Sequence, residues 1–430
     1  MNFKRLIRND RRNALGTLSV SPGNSNTAVE KACWEVQTGY RAIQRFDRAT
    51  PGRVLISAGE LAGGGVKTHV VLLIKLLRRN GVGVTVIGTD RGWGAAELEE
   101  LAATGARIRL PPKWLTALPN LRKLVRLYAV TSIPFWSWGV FSSVYLAGAG
   151  RSHLWLRRWI RRQIPVIYHE IICDPKPNQL PGLCALASDL IVANSRRIAS
   201  QFPPLVGSSI PVKVIPFLTP GESLPTAQTA SARGSNELRV VYLGRVTPHK
   251  RPDQLIKEWR QLTNGRPLGP ARLDIYGYPD PPDFLNELKQ LVKRSGLEQE
   301  ISLHGPYGFD QVDLIIRSAD VVVLPSKWEG LPLVLVESMR RGVPIVATGV
   351  GGIEEFGDGN PDVIITQSSW TDFVNGLQEM AARLRRGDIN SVRLQRWAED
   401  RYGYTTVSSK WLSALLDPFI FFHSDEKFGK

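Results

Sequence analysis

Cysteine is nearly absent from this 430-residue chain. Cys33, Cys173 and Cys184 are the only three, with no Cys-x-x-Cys spacing, so neither a disulfide scaffold nor a cysteine zinc site is expected, and a reducing compartment fits best. The six histidines form no His-x-x-x-His or His-Glu-x-x-His pattern, which removes the usual helical zinc motifs. No two aspartates are separated by a single residue, so the Asp-x-Asp pair that can hold a divalent metal against a diphosphate is missing and metal-independent chemistry is expected. The opening MNFKRLIRNDRRN is basic but has no apolar stretch behind it; a secretory leader is not expected, and the cytoplasmic side is the default, with attachment to the inner face of a membrane left open. Residues 127–150 carry no charge and are long enough to span a bilayer, yet Pro134, several serines and three glycines interrupt them, so a core strand and helix are expected there.

The length implies about two to three domains, and an apolar share of 43% leaves room for a sizeable core. A net charge of +16 asks for an anionic partner: nucleic acid, an anionic membrane surface or a phosphorylated ligand. Part of that excess is concentrated. From Leu101 to His169 there is no acidic residue but eleven Arg and Lys, interleaved with Trp114, Trp136, Trp138, Trp155 and Trp159. In HLWLRRWIRR (residues 153–162), Trp155 and Trp159 share one helical face beside Arg157 and Arg161. Such a stretch suits an anionic membrane interface, suits nucleic acid less well, and equally suits a buried aromatic face with solvated arginines.

Along the chain, residues 1–50 read as a partly disordered extension with a possible helix from Ala28 to Arg45. A strand over Arg53–Ser57, a glycine loop at Ala62-Gly63-Gly64-Gly65, a helix over Val66–Arg79 and a strand over Val84–Gly88 make one βαβ unit. Further strands fit Ile164–His169 and Leu190–Asn194. Residues 221–236, in a stretch rich in Ser, Thr, Pro, Ala and Gly, read as a linker between a domain over 51–220 and a second over 237–405; residues 406–430 form a helix and tail expected to return to the first domain. The second half alternates regularly, with strands over Leu238–Leu243, Arg272–Tyr276, Ile301–His304, Val321–Pro325, Pro344–Ala347 and Val363–Thr366, and helices between them such as Pro252–Leu262 and Asp283–Ser295. Continuously apolar strands alternating with helices imply a parallel sheet covered on both faces, whose ligands sit beyond the carboxyl ends of the strands.

Two loops at those ends carry chemistry. The first, Gly244-Arg245-Val246-Thr247-Pro248-His249-Lys250-Arg251-Pro252, gathers cations before a helix start, an arrangement that suits a phosphate but also describes a solvated basic turn. The second is Glu329-Gly330-Leu331-Pro332-Leu333-Val334-Leu335-Val336-Glu337. Leu333 to Val336 is apolar on every side, so the turn is expected to be buried, and an ionised Glu337 there needs a donor partner such as a ribose diol. Glu329, in the loop, is free to accept from sugar hydroxyls, and the amides of Gly330, Leu331 and Leu333 can point at a phosphate or sugar. A surface Glu in a loop followed by an ordinary helical Glu is the plainer alternative.

These motifs, with the glycine loop and His69, Val192-Ala193-Asn194-Ser195, Ser326, and Gly342-Val343-Pro344 followed by Gly351-Gly352-Ile353-Glu354-Glu355, resemble the retaining family 4 glycosyltransferases, most densely from 240 to 357. The resemblance implies an α/β chain of GT-B fold, two Rossmann-like doubly wound domains facing each other across a cleft, the first binding acceptor and the second a nucleotide sugar, UDP- or GDP-linked. It implies that Arg245 and Lys250 bind the donor diphosphate and stabilise its leaving charge, with Gly244 beside them. Glu337 would hold the ribose, Glu329 and His169 the transferred sugar, and Gly64 and Gly65 would let backbone approach donor or acceptor. Neither a cofactor nor a metal is implied, and the acceptor would be a glycan or lipid-linked glycan. The chain departs from the family at Arg251, where a glycine is usual, and at Gly277-Tyr278-Pro279-Asp280, which lacks a second glycine. A non-catalytic membrane or nucleic-acid binder, resting on the basic stretch alone, is the competing class; a GT-B-type epimerase would need an acid and base of its own.

Overall fold

The computed structural model describes residues 53–58, 65–88, 95–109, 143–147, 165–170, 184–186, 188–202, 210–220, 224–226, 237–264 and 268–416. The expected extension, the glycines Gly63 and Gly64, most of the basic stretch, most of the linker and the last residues of the tail lie outside them. The chain divides into two compact units: one of Met1–Ala62, Leu73–Ile215 and Ser409–Lys430, the other of Gly63–Leu72 and Pro216–Ser408.

The first unit is built on a seven-stranded sheet of β1 (Arg53–Ala58), β2 (Gly83–Gly88), β3 (Arg107–Arg109), β4 (Ser143–Ala147), β5 (Val166–Glu170), β6 (Leu190–Ala193) and β7 (Val212–Val214), in the order β3-β2-β1-β4-β5-β6-β7. Every ladder is parallel. Helix α1 (Gly65–Arg79), which follows β1, belongs to the second unit as far as Leu72 and to the first from Leu73, and it buries Val70, Leu73, Ile74 and Leu77, the i, i+3, i+4, i+7 stripe of an amphipathic helix. Helix α2 (Ala95–Ala103) follows β2. After β6, Ser195 caps the short α3 (Arg196–Ala199) by accepting from the Ile198 amide at 3.2 Å.

The second unit holds a six-stranded parallel sheet of β8 (Leu238–Leu243), β9 (Ala271–Tyr276), β10 (Ile301–Gly305), β11 (Val321–Leu324), β12 (Ile345–Thr348) and β13 (Ile364–Thr366), in the order β10-β9-β8-β11-β12-β13. The helices are α4 (Pro252–Asn264), α5 (Phe284–Arg294), α6 (Phe309–Ser318), α7 (Leu333–Met339), α8 (Trp370–Arg386) and α9 (Ser391–Tyr402), followed by α10 (Tyr404–Leu416), which begins in this unit. Strands such as Val321-Val322-Val323-Leu324 and Ile345-Val346-Ala347 are buried throughout, as sheets covered on both faces require. Counted from its own first strand, this sheet runs 3-2-1-4-5-6. The direction of winding reverses between β8 and β11, which leaves the loops after those strands side by side at the carboxyl edge.

Close packing of α8 on that sheet depends on a residue without a side chain. A Cβ on Gly376 would lie 2.5 Å from Thr366 Cγ2 and 3.0 Å from Ile364 Cγ2. Gly376→Val is therefore expected to cost roughly 1–3 kcal/mol through overpacking, read as a lower midpoint of urea unfolding; an unchanged midpoint would mean that the helix seats differently.

Candidate active site

The site is assembled where the winding reverses. The loop leaving β8 is braced at its start by Tyr242, whose hydroxyl donates to the Arg245 carbonyl at 2.6 Å. It closes with a single 3-10 turn, Pro248–Lys250, and passes into α4 through Arg251, which sits in the left-handed region at φ 56° and ψ 37°. A glycine would take that conformation freely, whereas an L-residue with a side chain pays about 1–2 kcal/mol, which accounts for the glycine usual at this place in the family the sequence resembles.

The loop leaving β11 meets it directly. Lys250 Nζ lies 2.6 Å from Glu329 Oε1, and Ser326 Oγ donates to the same oxygen at 2.7 Å. Both charged side chains are about nine-tenths buried. Their loops are also joined by the Lys327 amide donating to the His249 carbonyl at 2.8 Å, and by His249 stacking on Trp328 with ring centroids 4.0 Å apart and planes 9° from parallel. The loop after β12 supplies a third wall. The Gly352 amide donates to the Gly330 carbonyl at 2.7 Å, and Gly351, at φ 60°, stands so close that a Cβ there would lie 2.0 Å from the Glu329 carbonyl oxygen.

Glu337 sits one turn into α7, every residue of which is buried. Burial pushes its carboxyl up to about 7, and the nearby Arg341 and Arg340 offset only part of that shift. Arg341 holds the end of the helix instead, donating to the Glu337 carbonyl at 3.0 Å and pairing with Asp313 at 2.9 Å. Among the described residues the Glu337 carboxyl has no hydrogen-bond partner, and with its oxygens not wholly shut off from solvent it is open to a ligand that supplies donors. The Gly330 and Leu331 amides likewise have no acceptor among the described residues, and Leu333, first in α7, is one of the positions a helix leaves unpaired.

The other residues named from sequence are distributed unevenly. Gly244 faces the ammonium: a Cβ there would lie 4.0 Å from Lys250 Nζ. Arg245 is not joined to Glu329; half-exposed, it pairs with Asp280 across 3.4 Å. Gly65 packs beneath Leu333, with its Cβ position 3.3 Å from Leu333 Cδ1, while Gly64 lies outside the described residues. His169, in the first unit, differs most from expectation. The resemblance has it facing a sugar, yet the ring is fully buried, Nδ1 meets the Tyr145 hydroxyl at 2.6 Å, Nε2 meets Asn194 Oδ1, and Trp411 packs 4.9 Å away. Burial lowers its pKa to about 3, with the Asn194 bond pulling the other way, so the ring is neutral; an Oδ1 acceptor places its proton on Nε2 and leaves Nδ1 to accept from Tyr145. As placed, the ring has no nitrogen to offer a sugar.

Two contacts, and the role of His69 that the motif alone did not give, emerge only from the structure. His69 uses Nδ1 to accept from the Leu218 amide at 3.1 Å and stacks on Phe217, tying the start of α1 to the segment after β7. Arg340 is fully buried between Glu399, at 2.8 Å, and Thr219 and Pro220. The third is the His249–Trp328 stack. Each of its members adjoins a charged residue of the site, and that adjacency is the one signal visible in the sequence.

Residues 237–383 match the family described as glycosyl transferases group 1, and the chain carries that domain. It has the GT-B fold. D-inositol 3-phosphate glycosyltransferase of Arthrobacter sp. (strain FB24) is 29% identical over 197 residues, 44% of this chain and 45% of that protein. The enzyme of the same name from Nocardia farcinica is 29% identical over 223 residues, 48% of each chain. The chain thus spans about half the length of these curated relatives. Among solved structures, Anabaena HepE in complex with UDP and glucose aligns with a TM-score of 0.65 at 18% identity, over 85% of this chain and 99% of that one. Sucrose-phosphate synthase from Thermosynechococcus elongatus aligns at 0.68 and 16%, over 87% of this chain and 100% of that one.

The raised pKa of Glu337 has a measurable consequence. A carboxyl that holds its proton more tightly when folded is penalised as pH rises, so the native state loses stability from about pH 4.5 to about pH 7 and no more beyond. The uncharged Glu337→Gln is expected to be more stable than the wild type by roughly 3 kcal/mol near pH 8 and nearly equal to it near pH 4. Urea unfolding at the two pH values checks this, and a pH-independent difference would contradict the assignment.

Proposed function

We propose that this chain is a retaining, metal-independent glycosyltransferase that moves a sugar from a nucleotide diphosphate donor to a glycan or lipid-linked glycan. The observation carrying the reading is the buried Lys250–Glu329 pair, with the unpartnered Glu337 carboxyl on the helix that follows. In this reading the donor diphosphate takes Lys250 from Glu329, and Arg245, swinging from Asp280, joins it on the phosphates. The two cations neutralise charge as it develops on the leaving diphosphate, the electrostatic work a metal performs in other sites. Glu329, released by Lys250 but still held by Ser326, accepts hydroxyls of the transferred sugar. Glu337, ionised by the encounter, accepts both hydroxyls of the ribose, and the amides of Gly330, Leu331 and Leu333 face the diphosphate-linked sugar.

Retention of configuration rests on the family resemblance, in which attack and departure share one face of the sugar and no side-chain nucleophile is needed. UDP is the first nucleotide to try, because it is bound in the Anabaena neighbour. Phosphoinositol acceptors deserve trial because of the names of the relatives, and lipid-linked glycans because of the basic, tryptophan-rich stretch before His169, which suits an anionic membrane surface on the cytoplasmic side. Among the described residues no helix is long and apolar enough to cross a membrane.

With UDP-, GDP- and ADP-sugars screened first by thermal shift, Glu329→Gln is expected to lower turnover by about 10²–10³ while UDP affinity changes little. Lys250→Ala should weaken both. Equal turnover in both variants and the wild type would remove the assignment. Turnover is also expected to be unchanged in excess EDTA, and full loss with recovery on adding magnesium or manganese would show that a metal takes part.

A further inference from the structure

The Lys250–Glu329 pair must open for the proposed chemistry to begin, which raises the question of what holds the two loops together when it does. Ser326 binds Glu329 within one loop and cannot serve. Between the loops there remain the Lys327 amide on the His249 carbonyl and the parallel rings of His249 and Trp328. His249 immediately precedes Lys250 and Trp328 immediately precedes Glu329, so the stack grips each loop one residue from its working charge. Thr247, buried at the foot of the 3-10 turn, meets His249 Nδ1 at 3.0 Å and fixes the ring's rotation.

We propose that the His249–Trp328 stack is a positioning clamp, which keeps Lys250 and Glu329 at working separation while each turns from the other to the donor. The inference rests on the functional reading above for its consequence in turnover, but the clamp itself is a statement about two loops and can be tested without a substrate. Its chemistry suits the task. Burial, and after it the neighbouring Lys250, lowers His249 to about 4, so near neutral pH the stack is an uncharged ring pair. Stacked aromatic rings hold by dispersion and shape, and the arrival of phosphate charge leaves that attraction nearly unchanged. An ion pair in the same place would be broken by the ligand it is meant to receive. The two residues are therefore positioning residues, acting through Lys250 and Glu329.

The test is the reactivity of Lys250 in the full chain, measured by a short pulse of an acetylating succinimide ester and peptide mass spectrometry, with exposed Lys293 as internal reference. In the wild type the buried pair protects Lys250. His249→Asn and Trp328→Leu, which remove one ring each, are expected to raise its labelling about 2- to 12-fold, the loop-opening equivalent of losing one stacked pair. His249→Phe and Trp328→Phe, which restore a ring pair, should return labelling towards the wild-type rate. Unchanged labelling in both ring-less variants overturns the clamp, as does equal labelling in the Phe and ring-less variants. Where a nucleotide sugar is turned over, the ring-less variants should lose about tenfold or more in kcat while the Kd for UDP stays within about threefold, since misplaced groups slow the chemical step more than they weaken binding. Loss of UDP affinity in step with kcat also overturns the proposal. If labelling rises as expected but the wild type uses no nucleotide sugar, the clamp stands and the functional reading falls.

Discussion

Everything at the candidate site depends on one ion pair placed between two adjacent parallel strands. Lys250 follows β8 and Glu329 follows β11, and they meet only because the winding of the sheet reverses between those strands. Elsewhere in a doubly wound sheet, a crossing helix separates the loops of neighbouring strands; at the reversal the helices depart to opposite faces and the loops are left exposed to each other. The fold makes the crevice, and the residues at its rim decide what it holds.

A pair so deeply buried is weak evidence of stability for its own sake, because desolvating two charges costs about as much as their attraction returns. In the proposed reading, its value lies in holding two opposite charges ready, each largely buried and each exchangeable for a ligand group of the right sign. Glu337 follows the same logic from the other direction. Its carboxyl, on a helix of buried residues, is raised by burial and has no hydrogen-bond partner among the described residues, a local conflict that a ligand would resolve in the proposed reading. The surroundings are correspondingly well braced. Ser326, Gly330 and Gly351 fix the loop carrying Glu329, Arg341 fixes the end of α7, and the His249–Trp328 stack joins the two loops.

How much was legible beforehand differs between the two halves. In the second, strands expected over Leu238–Leu243, Ile301–His304 and Val321–Pro325 coincide with β8, β10 and β11 to within a residue, because each is a continuous apolar run bounded by glycine, proline or charge. Helix α4 begins at Pro252 as read, since proline's fixed φ suits a first turn. In the first half, β3 and β7 gave little warning, and β4, the core strand expected somewhere within 127–150, had no marked ends. Arg107–Arg109 and Val212–Val214 are too short to show a period, and Ser143–Ala147 lies within a long uncharged stretch that offers no boundary. Among site residues, the burial of Glu337 followed from its apolar neighbours. The surroundings of His169 did not, because Tyr145, Asn194 and Trp411 converge on it from distant parts of the chain.

The sequence by itself therefore determined the class of fold and the carboxyl-edge loops that carry the candidate residues, because periodicity and loop composition are local and survive without coordinates. Tertiary structure alone decided the partners. It joined Lys250 to Glu329, turned Arg245 to Asp280, left the Glu337 carboxyl without a hydrogen-bond partner among the described residues, and closed His169 within its own unit. Pairing between loops dozens of residues apart depends on strand order and on which side chains the fold brings into reach, and neither is written in any local stretch of the chain.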